Sequence, residues 1–528
     1  MPSLLRGFAE SVQRYPKRPA LYLPQKRWTY QDLAAFAGSL ASTITDNGLT
    51  QKKLIGLFSS GSLTSYIGPL AILSTGRGFV PIDPHHPPKR SFAILEDSQV
   101  DTLVVGPKAL DRLETLLAQQ GRPLSIIAPE VDDLRGLAAR HPRHRFTTAP
   151  DLARRCQDLI VPETTDKDPA YLLFTSGSTG SPRGVVVNQK NIDAYLQNAA
   201  RRFPLTPHDR CTHTFPMTFD LSVHDLFTTW SAGAALIPWL PAHHSNPAPF
   251  IRHHQITRWF SVPTVAMTME RLDQLTPEAF PSLRSSLFCG EPLPATVAQA
   301  WARAAPNSSI FNLYGPTEAT VAISSYRFAP HSISECRRGV VPLGEIFDDQ
   351  SMLVVGESGH PVGPGGQGEL LLSGSQITRS YFRDRQASVE RFIFLPSQGE
   401  GLWFCTGDFV EVDEKGQLHF VGRVDDQIQL RGHRVELAEI DHALRLACGH
   451  QMATAVPWPR DPSGVYGLVA FVACDKPIDQ RHLLARCRRH LPNAMVPDRI
   501  IGLSELPQNE RGKIDRLAMQ RFLENKEQ

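Results

Sequence analysis

Residues 171–187 read YLLFTSGSTGSPRGVVV, and this stretch decides how the rest of the chain is read. The apolar run Leu172-Leu173-Phe174 stops at Thr175-Ser176-Gly177-Ser178-Thr179-Gly180, and a second apolar run, Val185-Val186-Val187, follows Pro182-Arg183-Gly184. Such a pattern predicts a strand, a flexible polar loop and a second strand. Glycine lets a backbone come close to a ligand, and the hydroxyls and amides of the loop can surround phosphate oxygens. No GxxxxGK[ST] sequence is present, so the lysine of a P-loop is missing. A Gly/Ser linker has the same composition, and this segment alone leaves both readings open.

Upstream, an amphipathic helix is predicted at 32–45, then strands at 54–59 (LIGLFS) and 78–82 (GFVPI) with a helix at 64–73 between them. Asp83-Pro84-His85-His86-Pro87-Pro88 ends that run, because proline fixes its own φ and restricts its predecessor. Strands alternating with helices at this spacing predict an α/β fold with a mainly parallel sheet. A strand at 103–105 continues the pattern, and 118–145 reads as a poorly patterned connection. Downstream, further strands fall at 258–262 and 310–313. The most apolar long window, 221–240, carries His224, Asp225 and Gly233, so it reads as a buried helix and strand and not as a membrane span.

Beyond Arg338 the texture changes to short strands with Gly/Pro turns, at 352–355, 369–372, 402–405 and 417–421, which predicts a β-rich subdomain. Within it Gly363-Pro364-Gly365-Gly366-Gln367-Gly368 matches the dinucleotide pattern GxGxxG. That fingerprint needs a helix after it, and here a strand follows, so it reads as a hairpin turn. Past Asp425 a helix at 434–446, a strand at 467–473 and a basic helix at 481–491 predict a small α+β unit. The chain as a whole is therefore expected to be multidomain α/β. A large N-terminal domain of α/β layers with a β-rich subdomain would cover 1–424, and a small mobile α+β domain 425–528.

A chain of 528 residues exceeds one ordinary core, and a net charge of +2 supplies no field to attract nucleic acid or an anionic membrane. The eight cysteines form no CxxC pair, so neither a zinc site nor a disulfide framework is indicated, and a reducing cytoplasm fits. No signal peptide is read at the start, where Glu10 and Arg14 interrupt any apolar core.

Four polar positions follow the loop in order. Glu318 comes just after a predicted strand end in NLYGPTE, and a single carboxylate beside phosphate oxygens is a common way to hold Mg²⁺. Asp408, in CTGD, is expected at the tip of the 402–405 strand, where a carboxylate can accept both hydroxyls of a ribose. Arg423 can fork onto ribose or phosphate beside a charged joint at Asp425. Lys513 lies in a turn near the C-terminus.

Together TSGSTGSPRG, YGPTE, TGD, GRVDDQIQLRGHRVELAEI and RGKIDR resemble the core motifs of the adenylate-forming superfamily, and WTYQDL, GRGFVPIDP and GELLLSGSQITRSYF resemble looser ones. That superfamily holds acyl-CoA synthetases, luciferases and the adenylation domains of nonribosomal peptide synthesis. The resemblance implies ATP and Mg²⁺ as cofactors. Thr175, Ser176, Gly177, Ser178, Thr179 and Gly180 would surround the β and γ phosphates, and Glu318 would bind the metal. Tyr314 would stack on adenine beside Gly315 and Thr317, with Asp408 and Arg423 on the ribose. Asp425 would be the hinge, and Lys513, with Glu318 and Thr175, would serve the bond-making step. The family has lysine where this chain has Arg183, so no essential role is assigned to that residue.

FDLSVHDLF sharpens the substrate. In amino-acid-activating members of the family the FDxS aspartate pairs with the substrate ammonium, and Asp220 stands there. Carried over by motif, the pocket is Asp220, Leu221, His224, Phe260, Leu287, Cys289, Gly290, Leu313, Val321 and Ala322, mostly apolar and bulky, which suits a small neutral amino acid. The set is most similar to stand-alone D-alanine:carrier-protein ligases, from which it departs at Leu313 and His224. Proline-activating ligases share part of the pattern. Only fifteen residues follow Lys513, too few for a fused carrier domain, so a separate phosphopantetheine-bearing carrier is the expected acceptor. An acyl-CoA synthetase and an inactive nucleotide-binding protein are the rival readings.

Overall fold

The computed structural model describes residues 4–46, 52–152, 158–177, 182–239, 246–450, 452–461, 464–474, 478–508 and 514–527. Two large, mainly parallel sheets form its body. In the seven-stranded sheet the order is Arg145–Thr148, Ser125–Ala128, Thr102–Val105, Leu54–Phe58, Gly78–Ile82, Pro169–Thr175 and Arg183–Asn188, with only the last pair antiparallel. The nine-stranded sheet runs parallel from Ser309–Tyr314 across to Pro19–Tyr22 and is closed at each end by antiparallel strands. Parallel strands buried on both faces read as continuous apolar runs. Leu54–Phe58 and Gly78–Ile82 are buried at every position.

The window at 221–240 resolves into the helix Leu221–Ser231 and the strand Ala235–Pro238, as its interruptions imply. The connection at 118–145 is richer than expected. It holds the strand Ser125–Ala128, the short helix Arg135–Arg140 and the start of the strand Arg145–Thr148. Four residues are too few for periodicity to separate strand from helix, and pairing with Thr102–Val105 decides the matter.

An antiparallel five-stranded sheet follows, built from Gln350–Val355, Gln367–Gly374, Phe392–Phe394, Leu402–Val412 and Leu418–Arg423. The GxGxxG segment lies in the turn that leads into Gln367–Gly374, so the hairpin reading holds. Asp408 is not at a strand tip. Its strand continues to Val412, with Gly407 at φ +76° kinking it and a register shift against the next strand just beyond.

The residues beyond Asp425 build two cores of their own, one around Ile440, Leu444 and Val472 and one around Phe471, Met519 and Leu523. Here the helix expected at 434–446 begins later, at Leu437, and ends at Cys448. Residues His433–Glu436 instead form a strand paired with Gln427–Leu430. Val435 and Leu437 are buried in both readings, so apolar spacing alone does not place that boundary.

Candidate active site

The strand Pro169–Thr175 delivers the hydroxyl loop to the ends of the parallel strands, where open α/β sheets collect ligands. Thr175 pairs with Arg183 across the loop's base. Ser176 is buried and its Oγ donates to the Arg434 carbonyl at 2.7 Å. Ser178, Thr179 and Gly180 lie outside the described residues, as does Lys513.

Glu318 is almost fully buried, in a short helical turn with Thr317. The Tyr381 hydroxyl donates to its Oε1 at 2.7 Å, and Arg434 Nη1 donates to its Oε2 at 2.7 Å. Burial works against ionisation, but the Arg434 guanidinium and the Tyr381 hydroxyl outweigh it and hold the carboxyl below its ordinary range. The hairpin of residues 427–436 thus reaches both Ser176 of the hydroxyl segment and the acidic residue. Its tip also packs on the pocket side, with Phe219 and His433 edge to face at 4.9 Å.

At the other end Tyr314 donates to Asp408 Oδ2 at 2.6 Å, and Arg423 pairs with Asp408. Arg423 also donates to both oxygens of Asp425, at 2.8 and 3.0 Å, and Arg391 Nη2 reaches Asp425 at 2.7 Å. Opposed charge overcomes the cost of burial there and lowers the Asp425 carboxyl to about 2. Tyr314, Gly315, Asp408, Arg423, Asp425 and Arg434 line a cavity of about 830 Å³.

Gly407 makes this arrangement possible. At φ +76° a side chain is strained, and a Cβ there would sit 2.7 Å from Arg423 Nη2, 2.8 Å from Asp425 Oδ2 and 2.9 Å from Arg391 Nη1. We expect Gly407→Ala to destabilise the fold by about 1–3 kcal/mol, read by urea unfolding.

Of the ten positions carried over as the pocket, Gly290 lies beside Leu221, whose Cδ1 is 3.8 Å from where a Cβ would stand. Leu221, Phe260, Leu287, Cys289, Leu313, Val321 and Ala322 belong to one buried cluster. Asp220 begins the helix Leu221–Ser231 and is itself buried, with Oδ2 accepting from Val321 N at 3.1 Å. Thr320 and Val321 hold that amide in place at φ +58° and +68°, a conformation that β-branched residues rarely adopt. Among the described residues no Lys, Arg or His pairs with Asp220. Burial, with Glu318 adding to it, raises its carboxyl to about 6 despite the Val321 amide. Tyr195 places its hydroxyl 2.7 Å from His224 Nδ1, and burial lowers that imidazole to about 3, so it is neutral. Its ring meets Phe260 edge to face at 4.8 Å. Burial, then Asp220, raises the Cys289 thiol, which is therefore neutral as well.

Three side chains that build the site were not singled out from sequence. Tyr381 and Arg434 hold Glu318. Gln376, fully buried, donates from Nε2 to the Ala319 carbonyl at 3.2 Å and to that of Ala322 at 2.8 Å, and so staples the strained turn. All three fall inside the GELLLSGSQITRSYF and RGHRVELAEI stretches, so position within a motif was the available signal.

The sequence profile described as AMP-binding enzyme matches residues 8–382. Delta-poly-L-ornithine synthetase of Acinetobacter baumannii (strain AB307-0294) is 29% identical over 525 residues, covering 97% of this chain and 36% of that protein. The phosphinothricin tripeptide synthetase PhsC of Streptomyces viridochromogenes is 31% identical over 525 residues, covering 98% of this chain and 45% of that protein. The chain thus spans less than half the length of these curated relatives. Among solved structures, the Vibrio cholerae adenylation domain AlmE in complex with glycyl-adenosine-5'-phosphate is 32% identical with a TM-score of 0.89, covering 99% of this chain and 98% of that one. IdnL7 is 31% identical with a TM-score of 0.72 over 99% and 98%. These matches establish that the chain belongs to the AMP-binding enzyme family of adenylate-forming proteins and is an AMP-forming ligase.

Proposed function

We propose that this ligase activates a small neutral amino acid, D-alanine or glycine first among them, and passes it to the phosphopantetheine thiol of a separate carrier protein. The observation that carries the reading is Asp220. A buried carboxylate with a backbone amide as its donor and, among the described residues, no cationic side chain paired with it is costly unless the ligand brings the cation, and an α-ammonium does so. Phe260 and the Tyr195–His224 pair wall the pocket and favour a short side chain. The glycyl adenylate bound by AlmE supports a substrate of that size.

In the first half-reaction the substrate carboxylate attacks the α-phosphorus of ATP, the bond to the bridging oxygen breaks and pyrophosphate leaves. Thr175, Ser176 and Gly177 with the rest of their loop would hold the leaving group, Tyr314 the adenine, and Asp408 with Arg423 the ribose. Lys513 would neutralise charge as the new bond forms. Glu318, buried and kept ionised by Arg434 and Tyr381, fits a magnesium ion as a hard-oxygen donor and would hold it. When bound, that ion screens the triphosphate charge. The hairpin at 427–436 covers Glu318 and Ser176, so triphosphate entry requires it to withdraw, which we assign to rotation about Asp425. In the second half-reaction the thiol sulfur attacks the acyl carbon and AMP leaves.

Pyrophosphate exchange over D- and L-alanine, glycine, serine, proline and valine tests the assignment. The small residues should drive exchange, and failure of all of them would sink it. The pH profile gives a second test. Below about 6 the free Asp220 becomes neutral and no longer attracts an ammonium. Amino-acid kcat/KM should therefore fall about tenfold per pH unit below that value, while ATP binding in the absence of the amino acid is unaffected by this group.

A further inference from the structure

Arg183 stands where lysine is usual, and its surroundings give it a different task. The strand that leaves the phosphate loop is bridged to the segment after residue 374, with Val185 opposite Tyr381 and Phe382 N donating to the Gly184 carbonyl at 2.8 Å. This lays the Arg183 guanidinium over the Tyr381 ring, 4.8 Å from its centroid, with Nε 3.3 Å from Asp384 Oδ2. Asp384 is itself fixed by accepting from Ala387 N at 3.0 Å. A planar cation can stack and pair at once, which a lysine ammonium does poorly.

Beneath that stack the Tyr381 hydroxyl holds Glu318 Oε1, and Thr378 N holds the Glu318 carbonyl at 2.9 Å. The other carboxylate oxygen, Oε2, faces Arg434 of the hairpin. The two oxygens are therefore divided. One is tied to a wall that includes the loop's exit strand, and the other becomes free when the hairpin withdraws.

We propose that Tyr381, braced by Arg183, is the positioning residue that presents one oxygen of Glu318 to the magnesium ion, so that the phosphate loop and the metal-binding carboxylate are set by one piece of structure. The proposal rests on the reading of Glu318 given above.

The test is the Mg²⁺ concentration that half-saturates binding of a fluorescent ATP analogue to the full chain, with AMP binding in the absence of Mg²⁺ as the control for an intact fold. Glu318→Gln should raise that concentration strongly. Tyr381→Phe should raise it about 10–100-fold, the usual effect of losing a partner that orients a metal ligand, and leave AMP binding unchanged. Arg183→Ala should shift it in the same direction but add little in the Tyr381→Phe background. An unchanged Mg²⁺ requirement in Tyr381→Phe beside a raised one in Glu318→Gln overturns the positioning role alone. Full additivity of the two substitutions overturns it too, since Arg183 would then act on phosphate directly. An unchanged requirement in Glu318→Gln overturns the assignment of Glu318, and this proposal with it. Should Tyr381→Phe lose AMP binding, Arg183→Lys decides: a raised Mg²⁺ requirement supports the brace and an unchanged one refutes it.

Discussion

Asp220→Asn is expected to eliminate amino-acid-dependent pyrophosphate exchange and, at the same time, to make the ligand-free protein more stable at neutral pH. Asparagine keeps an oxygen for Val321 N but presents no charge to an ammonium. The stability gain follows from the raised carboxyl. Its ordinary value is 3.8 and its folded value about 6, so the folded protein holds the proton more tightly than the unfolded chain. Stability is thus lost as pH rises from about 4 through about 6, and at pH 7 the whole difference acts against the fold. Two pKa units correspond to about 3 kcal/mol, an upper bound on what the substitution restores. Urea unfolding of both proteins at pH 4 and pH 7 checks it: the variant should lead at pH 7 and lose the lead at pH 4. Unimpaired exchange with amino acids would remove Asp220 from the site.

Lys513→Ala should separate the two half-reactions. Exchange should become undetectable, because the attacking carboxylate and the α-phosphate both carry negative charge that, on the proposed assignment, the lysine would offset as they approach. Transfer from a chemically prepared aminoacyl adenylate to a carrier thiol should persist, since that step forms no bond to phosphorus. Normal exchange in the variant, or equal loss of both steps, would refute the assignment. Arg516, three residues on, is anchored to Asp426 at 2.8 Å and to Asp441 at 2.5 Å, so the segment that follows Lys513 is firmly attached.

Much of the architecture was legible in order and spacing. Strands alternating with helices, LIGLFS and GFVPI among them, announced a mainly parallel sheet, and Gly/Pro turns announced the β-rich part. Short strands such as Ser125–Ala128 were not legible, because only pairing with a distant strand defines them. The boundary at Leu437 was misplaced for a similar reason: Val435 satisfies a helix pattern yet serves a hairpin. At the site, charged residues in motifs were singled out, and the Tyr381 and Arg434 side chains that touch Glu318 were not. Nothing in the letters says that Tyr381 points at Glu318 or that Gln376 staples residues 319–322, since both contacts bridge more than fifty residues of chain.

The left-handed pair Thr320-Val321 has a further consequence for how this protein can change. A glycine at 321 would relieve a conformation that costs a branched residue about 1–3 kcal/mol, but it would also give up a buried side chain and free the unfolded chain, so the gain and the losses oppose one another. That step would also loosen the amide that aims the Asp220 carboxylate and remove a wall of the pocket. Stability alone therefore gives little reason to exchange this valine, and its loss would be felt first in how the pocket is shaped.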